Sequence, residues 1–109
     1  MSKWENRLEV YDNIVKRCPK FERKGKTMPY TSANGYMFSL LNKAGELGIR
    51  LDKKEGEAFK AEHQTTIFMS YGAVMKDYVL IPEQLMDNTS FMIDLLNKSY
   101  EYVMSLPSK

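Results

Sequence analysis

The chain has 109 residues, of which 43% are hydrophobic and 28% are charged, and its formal net charge is +2. This length predicts one domain, residues 1–109, because two halves would each be too small to bury an adequate core. The composition excludes a disordered chain, and so small a net charge does not by itself argue for nucleic-acid binding.

The first predicted element is a helix over residues 4–18. Ser2 followed by Glu5 forms a capping-box pattern at its start, and Pro19 ends it, because the residue before proline is pushed out of helical geometry. Apolar residues then recur at spacings of three or four along one stripe. The stripe consists of Trp4, Leu8, Tyr11, Val15 and Cys18.

Three antiparallel strands are predicted next, over residues 26–32, 36–42 and 46–51. Asn34-Gly35 is the strongest short hairpin signal in the sequence, because a type I′ turn needs positive φ at both central residues. In the second strand, strict alternation puts Phe38 and Leu40 on one face and Met37 and Leu41 on the other. Apolar residues on both faces predict a second surface that either docks a partner or forms a homodimer.

The second half of the chain predicts a helix, two strands and a helix. The first helix begins at Asp52 and fades near His63, and the strands cover residues 65–70 and 77–81. Asn88 or Thr89 caps the closing helix. Its buried stripe is predicted to contain Met92, Leu95, Leu96, Ser99, Val103 and Leu106. The order α-β(3)-α-β(2)-α predicts an α+β fold in two layers, a five-stranded antiparallel sheet with helices.

Groups able to carry out catalysis are scarce in this sequence. Cys18 is the single cysteine and His63 the single histidine, so neither an internal disulfide nor a metal site of several ligands is expected. We interpret Cys18 as a core residue and His63 as a helix-end residue. The sequence therefore predicts no enzyme, no metal and no cofactor. A charged N-terminus and the absence of a long apolar run predict no membrane association and a cytoplasmic location.

One basic segment, residues 16–26, carries a net charge of +5 and leaves −3 for the remainder. Such a cluster suits the neutralisation of phosphates, and on this hypothesis the chain is a nucleic-acid accessory protein. The alternative, which we favour, is a solvated connection between the first helix and the sheet. The candidate anion-binding residues are Lys20, Arg23, Lys24 and Lys26.

Several runs of the sequence resemble the TfoX/Sxy N-terminal domain family, most closely its short stand-alone members. They are ERKGKTMPYTS at 22–32, NGYMFS at 34–39, LGIRL at 47–51, EAF at 57–59, MKDYVLIP at 75–82 and SYEYV at 99–103. The resemblance implies a two-layer fold similar to type III secretion chaperones, with the same order of elements. It offers no catalytic residue to transfer, and it implies a protein-interaction or transcription-regulatory role. The longer competence regulators carry a Met-Phe-Gly-Gly type motif where this chain has MPYT at 28–31.

Our first functional hypothesis is a non-enzymatic protein-interaction or regulatory module with a protein partner. Its candidate surface consists of Met28, Tyr30, Tyr36, Lys76 and Tyr78. The alternative is a small-ligand pocket between sheet and helices near Tyr30, Tyr36 and Tyr78. A filled core at that place favours the first hypothesis, and an apolar cavity with a few convergent polar groups favours the second.

Overall fold

The computed structural model describes residues 2–70 and 72–108, which form four helices and five strands. In chain order these are α1 (Lys3–Lys16), β1 (Tyr30–Ala33), β2 (Tyr36–Leu41), β3 (Leu47–Arg50), α2 (Lys53–His63), β4 (Ile67–Ser70), β5 (Ala73–Leu80), α3 (Glu83–Met86) and α4 (Thr89–Met104). The predicted α+β class is confirmed, and the order agrees apart from the short added helix α3. No helix in the described part of the chain is long and apolar enough to cross a membrane.

Local sequence signals start helices α1 and α2 as predicted. In α1 the Glu5 amide donates to Ser2 Oγ at 3.1 Å, and the Ser2 amide donates to Glu5 Oε1 at 3.2 Å, which completes the capping box. In α2 the Asp52 side chain accepts from the Glu55 amide at 2.8 Å. The start of each helix is therefore fixed by a side chain within its own first turn.

The first strand is shorter than predicted, because residues 25–29 form a loop instead. Lys24 and Tyr30 are joined by two backbone hydrogen bonds of 2.8 and 2.9 Å, which close the loop. Gly25 adopts a φ of +81° inside it. Strand β1 consequently begins at Tyr30 and not at Lys26.

All strand pairs are antiparallel, and the sheet order is β1-β2-β3-β5-β4. The β1–β2 ladder contains a bulge: Thr31 pairs with Ser39 while the next residue, Ser32, pairs with Met37. Phe38 is the extra residue between them. A bulge of this kind shifts every later side chain of the strand to the opposite face.

The bulge makes the predicted alternation in β2 wrong beyond Met37. Phe38 and Ser39 both lie on the helix-covered face, where the Ser39 hydroxyl is 2.5 Å from the Tyr11 hydroxyl. Leu41 belongs to the main core, and Leu40 lies on the other face. The apolar residues of the second face are therefore Met37 and Leu40, and not Met37 and Leu41.

The main core lies between the helices and one face of the sheet. Helix α4 contributes the stripe that the sequence predicted. The buried residues of the stripe are Met92, Leu95, Leu96, Ser99 and Val103, and Leu106, just after the helix, is half-buried. The buried Ser99 hydroxyl donates to the Arg50 carbonyl at 2.5 Å, which fixes α4 across the end of β3.

A second, smaller cluster fills the opposite face of the sheet. Its buried members are Leu40, Phe68 and Tyr78, and the half-buried Met28, Tyr30, Met37, Met75 and Leu80 pack around them. Phe68 lies directly over β3, because a Cβ on Gly48 would stand 2.3 Å from its ring.

The ladder between β4 and β5 is irregular, and Asp77 has a φ of +70°. Strand β5 begins at Ala73, four residues before the predicted start; Tyr71 lies outside the described residues.

Candidate interaction surface

The structure divides the five predicted surface residues among three places. Met28, Tyr30 and Tyr78 share the second cluster. Tyr36 packs instead against the main core on the helix side of the sheet, and Lys76 is exposed on β5. The five residues therefore do not form one continuous surface.

Tyr78 is a buried structural residue. Its ring is 6% exposed, and its hydroxyl donates to the Met37 carbonyl at 2.6 Å. Burial raises the pKa of this phenol well above its usual value, and the Arg50 charge offsets only part of that rise. Tyr78 thus ties β5 to β2 across the second cluster and has no free polar group for a partner.

Tyr36 holds the end of the chain against the sheet. Its hydroxyl donates to the Pro107 carbonyl at 2.6 Å, and the Arg50 guanidinium lies 5.3 Å from the centre of its ring. The same guanidinium lies 5.7 Å from the Tyr102 ring on α4. A cation between two aromatic rings adds to packing at this end of the sheet.

Two of the four candidate anion-binding residues are occupied by carboxylates. Lys20 Nζ is 2.9 Å from Glu101 Oε1, and this hydrogen bond raises the pKa of Lys20. Arg23 binds Asp12 in a bidentate manner at 2.7 and 3.1 Å, which raises the pKa of Arg23. Lys24 and Lys26 are exposed and form no ion pair with any residue that the structure describes. The positive charge of the segment is thus partly neutralised within the molecule.

The large apolar side chains that are exposed lie mainly on the outer side of the β4–β5 hairpin. We call Ile67, Met69 and Val74 the hairpin patch; they are 40%, 45% and 57% exposed. Met69 and Val74 are cross-strand partners in the ladder. Among the described residues only Met104, on α4, joins them as an exposed large hydrophobic residue.

Sequence reasoning missed the hairpin patch, although a signal for it was present. Residues 63–75 contain no Asp, Glu, Lys or Arg. In the sequence alone, such a run says only that it is too short to span a membrane. On an edge strand the same composition has another meaning, because edge strands ordinarily carry charges that prevent association with other chains.

Beside the patch lies an open groove of about 280 Å³ between α2 and the β4–β5 hairpin. Buried Leu51, Gly56 and Val79 form its apolar floor, and Ile67 forms one wall. Its rim carries Lys53, Lys60 and Lys76 together with Asp52, Glu57 and Asp77. We call this cleft the α2 groove.

The lone cysteine is buried in the core, and the lone histidine packs against two aromatic rings. Cys18 is 3% exposed, its thiol donates to the Ile14 carbonyl at 3.5 Å, and burial raises its pKa. The His63 ring lies between Phe59 and Phe91, with centroid distances of 4.5 and 5.6 Å. Within the described ranges no group of three His, Cys, Asp or Glu side chains is arranged to hold a metal ion.

No family model matches the chain, and no curated protein matches it.

Proposed function

We propose that this chain is a non-enzymatic, cytoplasmic protein-interaction module of the TfoX/Sxy N-terminal type, and that the hairpin patch is its docking surface. The observation that carries the proposal is the concentration of exposed apolar side chains on one edge hairpin. Single exposed apolar residues are common on proteins, whereas adjoining ones mark sites of association.

The packing of the second cluster supports an interaction module over a small-ligand protein. Phe68 occupies the space over Gly48, and the Tyr78 hydroxyl already has a protein partner. The tyrosines proposed for a ligand site also lie on opposite faces of the sheet, with Tyr36 on the helix side. A pocket near these three residues would therefore need the sheet itself to rearrange.

The proposal is tested by photo-crosslinking in lysate of the native host. The photoreactive residue p-benzoylphenylalanine replaces Val74 in the hairpin patch, and in a matched variant it replaces Met104, which is as exposed as Met69. We expect discrete adducts from position 74 and none of the same mass from position 104. An adduct of twice the chain's mass would identify the partner as a second copy.

A second variant decides whether these adducts depend on the patch. Ile67→Ser combined with Met69→Ser, in the background with the photoreactive residue at 74, should remove most of the adduct, because both side chains are exposed and the fold does not need them. The proposal is wrong if position 74 gives no adduct beyond that of position 104, or if the serine variant crosslinks equally well.

A further inference from the structure

We infer that the partner presents an extended, acidic segment with one apolar side chain that enters the α2 groove. This inference rests on the proposed function, since the hairpin patch and the α2 groove share Ile67. It adds the chemistry of the partner, which the patch alone does not specify.

The shape of the groove fits one apolar side chain. Its floor is apolar because buried Leu51, Gly56 and Val79 form it, and a Cβ added to Gly56 would stand in ordinary contact at 3.7 Å from Val79 and 4.0 Å from Leu51. The volume of about 280 Å³ is too small for a helix and sufficient for a side chain with its flanking backbone.

The charges on the rim favour a negatively charged partner. Formally three lysines face three acids, but two of the acids have a cationic partner within the molecule and the third caps a helix. Asp52 caps α2, Glu57 is 3.1 Å from Lys60, and Asp77 is 3.9 Å from Arg50. Lys53 and Lys76 are exposed and pair with none of the acids that the structure describes. Two ammonium groups, one on each side of the groove, are therefore left without a salt bridge, against the single carboxylate of Asp52, whose charge the N-terminus of α2 offsets in part.

The edge position of β4 favours an extended segment. The Leu80 amide donates to the Thr66 carbonyl at 3.0 Å, which directs the backbone of Thr66 toward β5. In an antiparallel ladder the next residue, Ile67, then directs its backbone groups to the outer edge. Further along, the Asn42 side chain donates to the Met69 carbonyl at 2.9 Å and closes the edge there. An added strand would pair at Ile67, beside the groove, in the manner of β-strand addition.

The test uses a phage-displayed library of short peptides with a fixed central leucine and random flanks, selected on the full chain. We expect the flanks to become enriched in Asp and Glu. A labelled selected peptide, followed by fluorescence polarisation at low salt, should bind about tenfold more weakly to Lys53→Glu/Lys76→Glu than to the natural chain, and high salt should weaken its binding to the natural chain. Ile67→Ser should lose at least about tenfold in affinity.

The matched control is Lys16→Glu/Lys26→Glu, which makes the same charge change at exposed positions away from the groove. It should leave the affinity within about twofold. Failure to select any peptide, or selection of neutral or basic flanks, would overturn the inference. Peptides whose binding is lost in Met69→Ser/Val74→Ser but kept in Lys53→Glu/Lys76→Glu would overturn it and leave the proposed function standing. Absence of crosslinking at position 74 would instead reject the proposed function itself.

Discussion

At the scale of single residues, two glycines that face neighbouring layers of the fold have opposite surroundings. Gly48 lies in the middle strand of the sheet, under Phe68, and an added Cβ would stand 2.3 Å from the ring. Gly56 lies inside helix α2, and an added Cβ there would make ordinary contacts at 3.7 Å or more. The same substitution should therefore have opposite effects at the two positions.

We predict that Gly48→Ala lowers the free energy of unfolding by about 1–3 kcal/mol, because Phe68 is fully buried and cannot move without disturbing the second cluster. Gly56→Ala should raise it by about 0.5–1 kcal/mol, because alanine favours the helix and the site has room. Urea denaturation of both variants measures the difference. Equal effects at the two sites would contradict the packing described over Gly48.

At the scale of elements, the β1–β2 turn is joined to the end of α4 by one side chain. Asn34 and Gly35 have φ values of +56° and +83°, as the predicted type I′ turn requires. The Asn34 amide nitrogen also donates to the Val103 and Leu106 carbonyls, both at 2.9 Å. These acceptors belong to the last turn of α4 and the residues after it, where the donors four positions further along the helix end, and the Val103 carbonyl also accepts from the Leu106 amide at 3.2 Å.

We predict that Asn34→Gly lowers the free energy of unfolding by about 1–2 kcal/mol, through loss of the two hydrogen bonds while the turn conformation is kept. Asn34→Ala should cost about 1 kcal/mol more, since alanine is also strained at positive φ. Thermal unfolding of the three proteins gives the order. If both variants lose the same amount, the link to α4 contributes and the turn conformation does not.

The confirmed and the wrong predictions together show which features local sequence can predict. The turn at Asn34 and the caps of α1 and α2 depend on residues within a few positions, and these predictions are confirmed. The bulge at Phe38 and the irregular β4–β5 ladder depend on packing against distant residues, namely the helices over β2 and Gly48 under Phe68. Alternation along one strand cannot contain that information. The hairpin patch was missed for the same reason. Its exposure depends on β4 being the edge strand of the sheet, and the sequence does not show the order of the strands.

At the scale of the whole molecule, a buried tyrosine on each face of the sheet should make the free energy of unfolding decrease at alkaline pH. Tyr11 lies fully buried in the main core, where its hydroxyl is 2.5 Å from Ser39, and Tyr78 lies in the second cluster. Burial is the main cause that raises the pKa of both phenols far above their usual value. The folded chain therefore keeps two protons that the unfolded chain releases near pH 10.

Because the unfolded state binds fewer protons than the folded state at high pH, the free energy of unfolding must fall as pH rises. The stabilisation is complete below about pH 10, and each tyrosine should remove roughly 1 kcal/mol between pH 10 and 11. Urea denaturation across this range should give a steeper slope for the natural chain than for Tyr11→Phe/Tyr78→Phe. Lys20, whose pKa is raised by Glu101, acts in the same direction but is unchanged in that variant. Equal slopes in the two proteins would mean that the phenols ionise at their ordinary pKa in the folded chain, which would contradict their burial.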